Sequence, residues 1–279
     1  MQFIKMQGTG NDYVYIDAFR EAVDQPEELA RRVSHRHFGI GSDGLILIKN
    51  HAGFDGEMEM YNSDGSRAEM CGNGLRCVAK YLHDTYAQGR DDLRIQTGAG
   101  LRTARIVERD ARGMAIRVCI DMGEPIFKGL DIPTVFDEPA VLQKPLEIAG
   151  RKLEFSSVSM GNPHCVIFVD AVRGFPVESV GRLIETHAYF PRKVNVEFVQ
   201  ILSPTEVIQR TWERGAGETW ACGTGACAVA VIGRRLGLTT DRLIIHLTGG
   251  DLVLEYSGSG TVKMTGPAVE VFRGDFPAG

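Results

Sequence analysis

Along much of the chain, apolar and polar residues alternate over short stretches separated by turn residues, which is the pattern of half-buried β-strands. The predicted strands cover residues 3–6, 13–17, 44–49, 57–61, 93–97, 104–107 and 115–121. Turn-forming pairs separate runs of this kind at short spacing, as at 55–56, 112–113 and 257–258. This spacing is typical of an antiparallel sheet or barrel rather than of βαβ units, so we predict a mostly antiparallel sheet.

Three stretches instead show helical patterns, and in the second of them the apolar residues recur at three- and four-residue steps. They cover residues 24–35, 72–86 and 223–236. The first starts with Asp24, Pro26 and Glu27, a plausible capping box, and should be a surface helix. The third is apolar almost all round, which predicts a helix buried on every side. The second and third helices begin directly after Cys71 and Cys222.

Two short sequence matches occur at the same offset along the chain. MCGNG at 70–74 matches ACGTG at 221–225, and the segment around Asn11 resembles the segment around Asn162. Both pairs lie 151 positions apart, which indicates a duplicated lobe. We therefore predict an N-terminal lobe over residues 1–121 and a C-terminal lobe over 122–265, with 266–279 returning to the first.

Composition and charge restrict the function to a few classes. The 279 residues are 43% hydrophobic and 24% charged, as in an ordinary soluble globular protein. A net charge of -5 gives no basic surface for nucleic acid or an anionic membrane. The longest apolar run, 226–232, is too short to span a bilayer, and the start shows no signal peptide. We expect a cytoplasmic protein that acts on a small molecule.

The six cysteines are expected to be thiols, because disulfide frameworks belong to oxidising compartments. The simplest interpretation of Cys77, Cys119, Cys165 and Cys227 is that each is a small buried apolar residue. Zinc sites use cysteine pairs that are closer in sequence than those here, so no metal is expected. The GxGxxG pattern at 39–44 precedes a strand instead of opening a helix, which argues against a dinucleotide cofactor.

Cys71 and Cys222 differ from the other four because each precedes a helix in matching sequence. The partial positive charge and open N–H groups of a helix start favour a thiolate and can hold a carboxylate. If a pseudo-twofold axis brings the two helix starts together, a thiol stands on each side of a bound carboxylate. Inversion of an α-carbon needs a base on one face and an acid on the other, whereas a cysteine protease needs one cysteine with a histidine. The pair therefore favours a racemase or epimerase that needs no cofactor.

Polar, glycine-rich loops lead into both cysteines and also correspond at the offset of 151. Asn62 corresponds to Glu213, and Gly44 corresponds to Asn195. Arg214, next to Glu213, could grip a carboxylate with two hydrogen bonds while the glutamate pairs with an ammonium group. These residues suit an amino-acid ligand.

Six motifs, in order along the chain, resemble one known family. They are Gly8-Thr9-Gly10-Asn11-Asp12, Tyr61-Asn62-Ser63-Asp64-Gly65-Ser66, Met70-Cys71-Gly72-Asn73-Gly74, Gly161-Asn162-Pro163-His164, Glu213-Arg214-Gly215 and Ala221-Cys222-Gly223-Thr224-Gly225. The family is that of the diaminopimelate epimerases, and the resemblance covers essentially the whole chain. It implies an α+β fold of two pseudo-symmetric lobes, each a mostly antiparallel β-barrel around a central helix. It also implies conversion of LL- to meso-2,6-diaminopimelate in lysine and peptidoglycan synthesis, without pyridoxal phosphate or metal, commonly by homodimers.

The resemblance also implies roles for individual residues. Cys71 and Cys222 match the catalytic bases. The substrate-holding positions are matched by Asn11, Asn62, Asn162, Asn195, Glu213 and Arg214. Backbone amides at Gly72-Asn73 and Gly223-Thr224 would bind the reacting carboxylate, and His164 matches a residue thought to tune the thiols. Gly44 stands where some members carry a glutamine that touches substrate, so that contact is not expected here.

Two other functions stay open from the sequence. Proline and hydroxyproline racemases resemble this pattern, but they typically have histidine where Asn73 stands in the first cysteine motif. A thiol redox or metal-binding protein would instead use Cys71 and Cys222 as a switchable disulfide. Activity absent in the fully reduced protein would favour this last interpretation.

Overall fold

A computed structural model describes residues 1–277, which fold mainly into strands, with four helices among them. The helices are α1 (Pro26–Ser34), α2 (Gly72–Thr85), α3 (Val177–Glu185) and α4 (Gly223–Arg235). The strands are β1 (Gln2–Gly8), β2 (Asn11–Asp17), β3 (Gly44–Lys49), β4 (Gly56–Asn62), β5 (Arg67–Ala68), β6 (Asp92–Thr97), β7 (Gly100–Arg109), β8 (Ala115–Asp121), β9 (Val141–Ile148), β10 (Arg151–Ser159), β11 (Pro163–Phe168), β12 (Asn195–Ser203), β13 (Glu206–Glu213), β14 (Gly217–Thr219), β15 (Arg242–Leu247), β16 (Gly250–Glu255), β17 (Lys263–Pro267) and β18 (Val269–Asp275). The chain forms two compact units, one made of Met1–Asp121 with the segment from Thr265 onward and the other of Met122–Met264.

The first unit is a mostly antiparallel sheet wrapped around α2. Its strands follow the order β18, β1, β2, β3, β4, β6, β7, β8, with β2–β3 and β4–β6 parallel. Ala268 donates its N–H to the Ile116 carbonyl in β8 at 3.1 Å, and the following β18 pairs with β1. The C-terminal segment thus joins the two ends of the sheet. Helix α2 contacts β1, β2, β4, β6, β7 and β8, and its first three turns are buried.

The second unit repeats this arrangement around α4. Its strands follow the order β9, β10, β11, β12, β13, β15, β16, with β11–β12 and β13–β15 parallel. Helix α4 contacts β10, β11, β12 and β16, and it is buried from Gly225 to Gly233. The prediction of a helix buried on every side is confirmed.

The strand registers of the two units repeat at the offset seen in the sequence. In the first unit Tyr13 pairs with Gly44 across the parallel β2–β3 ladder. In the second, His164 pairs with Asn195 across β11–β12, so both partners lie 151 positions further on. Duplication therefore extends from the motifs to the backbone pairing, and it places equivalent residues at equivalent points around each helix.

Three details differ from the sequence expectations. The residue before α1 is Gln25, with φ 50°, and no side chain caps this helix, so the predicted cap by Asp24 is wrong. Helix α3 was not predicted; it is short and carries Gly181, which lowers helix propensity, but Val180 and Ile184 pack in the core of the second unit. Cys119 is only partly buried, because it lies on β8 and pairs with β7 near the end of the sheet.

The helices in the described part of the chain are short. The longest, α2, has 14 residues. Within residues 1–277, no helix has the length and apolar character needed to cross a membrane.

Candidate active site

Cys71 and Cys222 occupy the same position in the two units, immediately before the central helix. Cys71 has φ −131° and ψ 121°, and Cys222 has φ −117° and ψ 107°. Both are extended, and both carbonyls accept the first helical hydrogen bond, at 2.8 Å from Leu75 and 2.9 Å from Ala226. Each thiol thus lies beside the N–H groups that a helix start leaves without helical partners. The prediction that both helices begin directly after a cysteine is confirmed.

In the first unit, a hydrogen-bond chain leads away from Cys71. The Cys71 thiol donates to Asn11 Oδ1 at 3.2 Å, and Asn11 Nδ2 donates to Asp43 Oδ2 at 2.7 Å. Asp43 also accepts from the backbone N–H of Asp12 at 3.1 Å and pairs with Arg36 at 2.9 Å. Because the Asp43 carboxylate requires a donor, it turns the amide oxygen of Asn11 toward the sulfur. This arrangement supports Cys71 as a thiol.

The side chains near Cys71 have perturbed acidities. Burial, and then the charge of Asp12, raises the pKa of Asp43. Burial also raises the pKa of Tyr13 well above its ordinary value, and the charges of Cys71 and Asp43 add to this effect. Tyr13 therefore stays neutral, and the negative charge around Cys71 is confined to the carboxylates and to any thiolate.

The remaining predicted residues of the first unit shape loops near the helix start. Asn73 is buried, with its Oδ1 3.3 Å from the Thr9 hydroxyl. Asn62 ends β4, pairs with Gly44 and donates from Nδ2 to Ser66 Oγ at 3.0 Å. A Cβ on Gly44 would lie 2.1 Å from the Tyr61 carbonyl oxygen, so this backbone has no room for a side chain at position 44.

In the second unit, the groups around Cys222 donate toward the sulfur. Gly225 N–H donates to Cys222 Sγ at 3.3 Å, and the Thr224 hydroxyl lies 3.5 Å from the same sulfur. Thr224 Oγ1 accepts from Asn162 Nδ2 at 3.2 Å. Since this lone pair is occupied, the hydroxyl hydrogen of Thr224 is available to Cys222.

The chain continues from Asn162 into the protein interior. His164 Nε2 lies 2.9 Å from Asn162 Oδ1, and His164 Nδ1 lies 2.8 Å from Glu197 Oε1. Both His164 and Glu197 are 0% exposed. A buried acid–imidazole pair is thus connected to Cys222 through two side chains.

Electrostatics make the Cys222 thiolate a strong base. Burial raises the pKa of the Cys222 thiol well above its ordinary value, and the charges of Glu213 and Glu197 raise it further. The hydrogen bonds from Thr224 and Gly225 act in the opposite direction. Burial also raises the pKa of Glu197, while the charge of His164 lowers it.

Asn195, Glu213 and Arg214 form one corner of the second unit. Asn195 Nδ2 donates to the Pro163 carbonyl and its Oδ1 accepts the Arg214 N–H, both at 2.9 Å. Glu213 Oε1 accepts from the Thr219 hydroxyl at 2.5 Å. The Arg214 side chain is exposed. Asn195 therefore ties the loop of Arg214 to the strand that carries His164.

Two residues at these sites were missed from the sequence, namely Asp43 and Glu197. Glu197 was detectable, since it is a lone acid inside the apolar run Val194-Asn195-Val196-Glu197-Phe198-Val199. An unpaired acid is rare in a buried strand. No comparable pattern marks Asp43, which lies in a polar loop. Among residues 1–277, no group of three His, Cys, Asp or Glu side chains is placed to hold a metal ion.

Comparison with known proteins identifies the family. The family model described as diaminopimelate epimerase matches residues 3–128 and 156–271. A diaminopimelate epimerase of Acetivibrio thermocellus is 47% identical over 276 residues, covering 99% of this chain and 98% of the relative. One of Leptospira biflexa serovar Patoc is 49% identical over 277 residues, with the same coverage.

A solved structure shares the fold at much lower identity. The probable proline racemase from Agrobacterium radiobacter K84 has a TM-score of 0.70 and 15% identity, covering 100% of this chain and 93% of the other. A protein of low sequence identity therefore shares this fold. From the family match and the near-full-length relatives, the chain belongs to the diaminopimelate epimerase family and is an isomerase.

Proposed function

We propose that the protein converts LL-2,6-diaminopimelate to the meso form by passing the α-proton between Cys71 and Cys222, without a cofactor. The observation that carries this proposal is the repetition of a helix-capping cysteine in both units. One catalytic nucleophile would need a single such cysteine, whereas inversion needs an acid and a base of matched kind.

In the proposed reaction, a thiolate removes the α-proton from one face of the carbon and a thiol donates a proton to the other face. The electron pair of the C–H bond moves into the carboxylate-stabilised carbanion and returns to form the new C–H bond. After turnover the two sulfurs have exchanged protonation states, so the enzyme is ready for the opposite epimer. Burial raises the pKa of Cys222, which favours its thiol at rest, whereas the hydrogen bonds that point toward its sulfur support the thiolate that must form during turnover. The Cys71 thiol instead donates to Asn11.

Backbone amides are the groups that stabilise the developing charge in this proposal. Those of Gly72 and Asn73, and of Gly223 and Thr224, lie in the first turns of α2 and α4, where N–H groups lack helical acceptors. Anions bind at such helix starts. The amides would hold the reacting carboxylate while charge builds up on it.

Side chains would hold the rest of the substrate. The proposed set is Asn11, Asn62, Asn162, Asn195, Glu213 and Arg214. Arg214 is exposed and its backbone is fixed by Asn195, and its Nη1 donates to the Arg192 carbonyl at 3.2 Å, which leaves the other guanidinium N–H groups for a carboxylate. Glu213 raises the pKa of the Cys222 thiol, so its charge acts on the sulfur and would also attract a substrate ammonium group. His164 would tune the thiol through Asn162 and Thr224.

The place of action and assembly are also proposals. Diaminopimelate serves lysine and peptidoglycan synthesis, which we propose takes place here in the cytoplasm with the protein as a homodimer. Sedimentation velocity tests the assembly, since a species at the 30.6 kDa mass of one chain would contradict the dimer.

Proton exchange tests the reaction. The reduced protein is incubated with LL-diaminopimelate in D₂O, and NMR follows α-deuterium incorporation and meso product, with L-proline in a parallel sample. We expect deuterated meso product with no added cofactor. Exchange of proline alone would refute the substrate but keep the two-thiol chemistry. Exchange of neither substrate in fully reduced protein would favour a redox or binding function.

A further inference from the structure

The two units differ in what lies beneath the start of the central helix. Gly74 and Gly225 are equivalent, both third in their helices and 151 positions apart. A Cβ on Gly74 would meet Ile46 Cδ1 at 2.7 Å and Met58 Cε at 3.1 Å. The Tyr15 hydroxyl is further away, at 3.7 Å, so the two nearest neighbours in the first unit are apolar.

Polar groups occupy the same place in the second unit. A Cβ on Gly225 would meet Glu197 Oε1 at 2.6 Å, and Cys222 Sγ and Gln209 Nε2 at 3.2 Å each. Glu197 and Gln209 stand at the positions that correspond to Ile46 and Met58. Replacing two apolar side chains with an acid and an amide in a core costs stability unless their polar groups are hydrogen-bonded or paired.

The buried pair requires a shared proton to satisfy its contacts. Asn162 Nδ2 donates to Thr224, so Asn162 Oδ1 faces His164 Nε2 as an acceptor, and Nε2 must carry hydrogen. A further proton then lies between His164 Nδ1 and Glu197 Oε1. Within residues 1–277, Glu197 Oε2 has no hydrogen-bond partner, so a charged carboxylate without that proton would be poorly compensated.

We propose that Glu197 is a positioning residue whose proton, shared with His164, directs the hydrogen-bond chain through Asn162 and Thr224 onto Cys222. This inference deepens the proposed function and rests on it. With the proton present, every bond in the chain donates toward the sulfur, which stabilises the Cys222 thiolate together with the Gly225 N–H.

Loss of the shared proton to solvent would reverse the chain. His164 would keep one hydrogen, on Nδ1 facing the Glu197 carboxylate, and Nε2 would become an acceptor. The Asn162 amide would then turn to donate to Nε2 and accept from the Thr224 hydroxyl. Thr224 Oγ1 would be left to accept from a Cys222 thiol. The proton on the pair and the thiolate on Cys222 therefore support each other.

In the first unit the hydrogen-bond chain runs in the opposite direction, with the Cys71 thiol as its first donor. Its chain runs from the Cys71 thiol through Asn11 to the Asp43 carboxylate, and Tyr13 stands where His164 stands in the second unit. A side chain that titrates only at high pH thus replaces the imidazole. The structure assigns the proton-sensitive chain to Cys222 alone of the two catalytic cysteines.

The groups that act on the pair are few and come from neighbouring elements. Cys222 precedes α4, and Cys165 lies beside His164 on β11. The charge of Glu197 raises the pKa of both thiols. Glu213 at the end of β13 acts on Cys222 as well. Burial holds Cys165 protonated. An experiment must therefore distinguish the effect of the His164–Glu197 pair from the effects of the charges on Cys222 and Glu213.

Thiol alkylation across a pH series tests the proposal without requiring turnover. Wild-type and Glu197→Gln proteins are treated with iodoacetamide from pH 6.5 to 10, and mass spectrometry reports Cys222 and Cys71 separately. We expect the alkylation rate of Cys222 in the wild-type protein to depend on two linked ionisations, that of the thiol and that of the His164–Glu197 pair. In the variant it should depend on the thiol alone. The two rates should differ roughly tenfold near pH 9, the effect of one hydrogen bond to a charged group. The Cys71 profile should not change.

Glu59→Gln is the matched control. Glu59 is a buried acid of the first unit, held by Lys49, Arg67 and Tyr61, and should leave both profiles unchanged. An unchanged Cys222 profile in Glu197→Gln would overturn the proposal. Equal shifts at Cys71 and Cys222 would also overturn it, because they would indicate a general change in structure.

A measurement on the wild-type protein covers the case in which the variant does not fold. Imidazole ¹⁵N NMR reads the tautomer of His164, whose signals are identified by their absence in His164→Gln. We expect hydrogen on Nε2 near neutral pH and on Nδ1 alone at high pH. Hydrogen on Nδ1 alone at every pH would refute the inference. Failure of diaminopimelate to exchange in D₂O would refute the proposed function independently of both results.

Discussion

Substituting alanine for Gly225 should damage the protein far more than the same change at Gly74. Both glycines are third in a central helix, so the gain in helix propensity from alanine is alike and cancels in the comparison. What differs is the neighbour that the new methyl group meets. At Gly74 the close atoms are the ends of Ile46 and Met58, and at Gly225 the closest is Glu197 Oε1.

The expected cost at Gly225 has two parts. Overpacking a core typically costs about 1–3 kcal/mol. Glu197 cannot retreat from a methyl 2.6 Å away without stretching its 2.8 Å contact with His164, and a hydrogen bond to a charged group contributes about 1.5–3 kcal/mol. Since partial relaxation reduces both terms, we expect Gly225→Ala to lose about 2–4 kcal/mol of unfolding free energy. At Gly74, rotation of flexible chain ends should keep the loss below about 1 kcal/mol.

Urea unfolding followed by tryptophan fluorescence measures the difference. The chain has two tryptophans, Trp212 and Trp220, and both belong to the second unit, so their emission reports the unit that contains Gly225. With a slope of about 2 kcal/mol per M, the midpoint of Gly225→Ala should fall by roughly 1–2 M. Circular dichroism follows the same melt for Gly74→Ala, whose unit has no tryptophan among its described residues.

Equal losses of stability in the two variants would refute this reasoning, because the atom nearest to the new methyl group is a hydrogen-bonded carboxylate oxygen at Gly225 and the end of an apolar side chain at Gly74. A double variant, Gly225→Ala with Glu197→Ala, sharpens the test. Removing the carboxylate should relieve the methyl contact, so the two single losses should add to more than the loss in the double variant. Additive losses would show that the methyl group does not press on Glu197.

Three further predictions concern individual side chains. Cys71→Ser or Cys222→Ser should reduce diaminopimelate turnover by at least about a thousandfold with unchanged circular dichroism, because a hydroxyl is a far weaker base; full activity in either variant would exclude the two-thiol mechanism. Burial raises the pKa of Cys77 to about 11, so iodoacetamide at pH 9 should label it only in urea, and native labelling would contradict this. The unfolded Cys77 thiol releases its proton near pH 8.5, whereas the folded one keeps it up to about pH 11. Between these two pH values, Cys77 therefore lowers the unfolding free energy by about 1.4 kcal/mol for each pH unit. Asp43→Ala removes the acceptor that orients Asn11 and should lower kcat roughly tenfold, and an unchanged kcat would show that Asn11 needs no such support.

Local sequence patterns were sufficient to predict the elements that carry the cysteines. Helices α2 and α4 begin where the glycines after the two cysteines indicated, and their runs of apolar residues are long enough to predict helices that are buried over three turns. Helix α3 was missed because its nine residues contain a glycine and follow a proline, and packing in the core outweighs that weak propensity. Asp24 failed as a cap because Gln25 takes a left-handed conformation before the helix.

The contacts of the site were harder to predict because they join residues far apart in the sequence. Asn11 meets Cys71 across 60 positions, and its partner Asp43 lies in a polar loop with no distinctive pattern. The repeat helped, since it placed Asn162 relative to Cys222 once Asn11 and Cys71 were matched. It could not reveal Glu197 as a partner of His164, because Ile46 stands at the equivalent position and the duplication is broken there.

That break in the duplication bears on how a symmetric reaction is carried out by an asymmetric protein. A duplicated frame gives each cysteine the same helix start and the same asparagine, which is what proton removal from either face requires. If both thiols had identical surroundings, however, the resting protein would have no preferred thiolate, and forms with two thiols or two thiolates would compete with the active form. Opposite hydrogen-bond directions favour a thiol at Cys71 and, against the burial that raises its pKa, a thiolate at Cys222. The divergence at Glu197, Gln209 and His164 can therefore fix the starting proton while the repeated elements keep both directions of the reaction available.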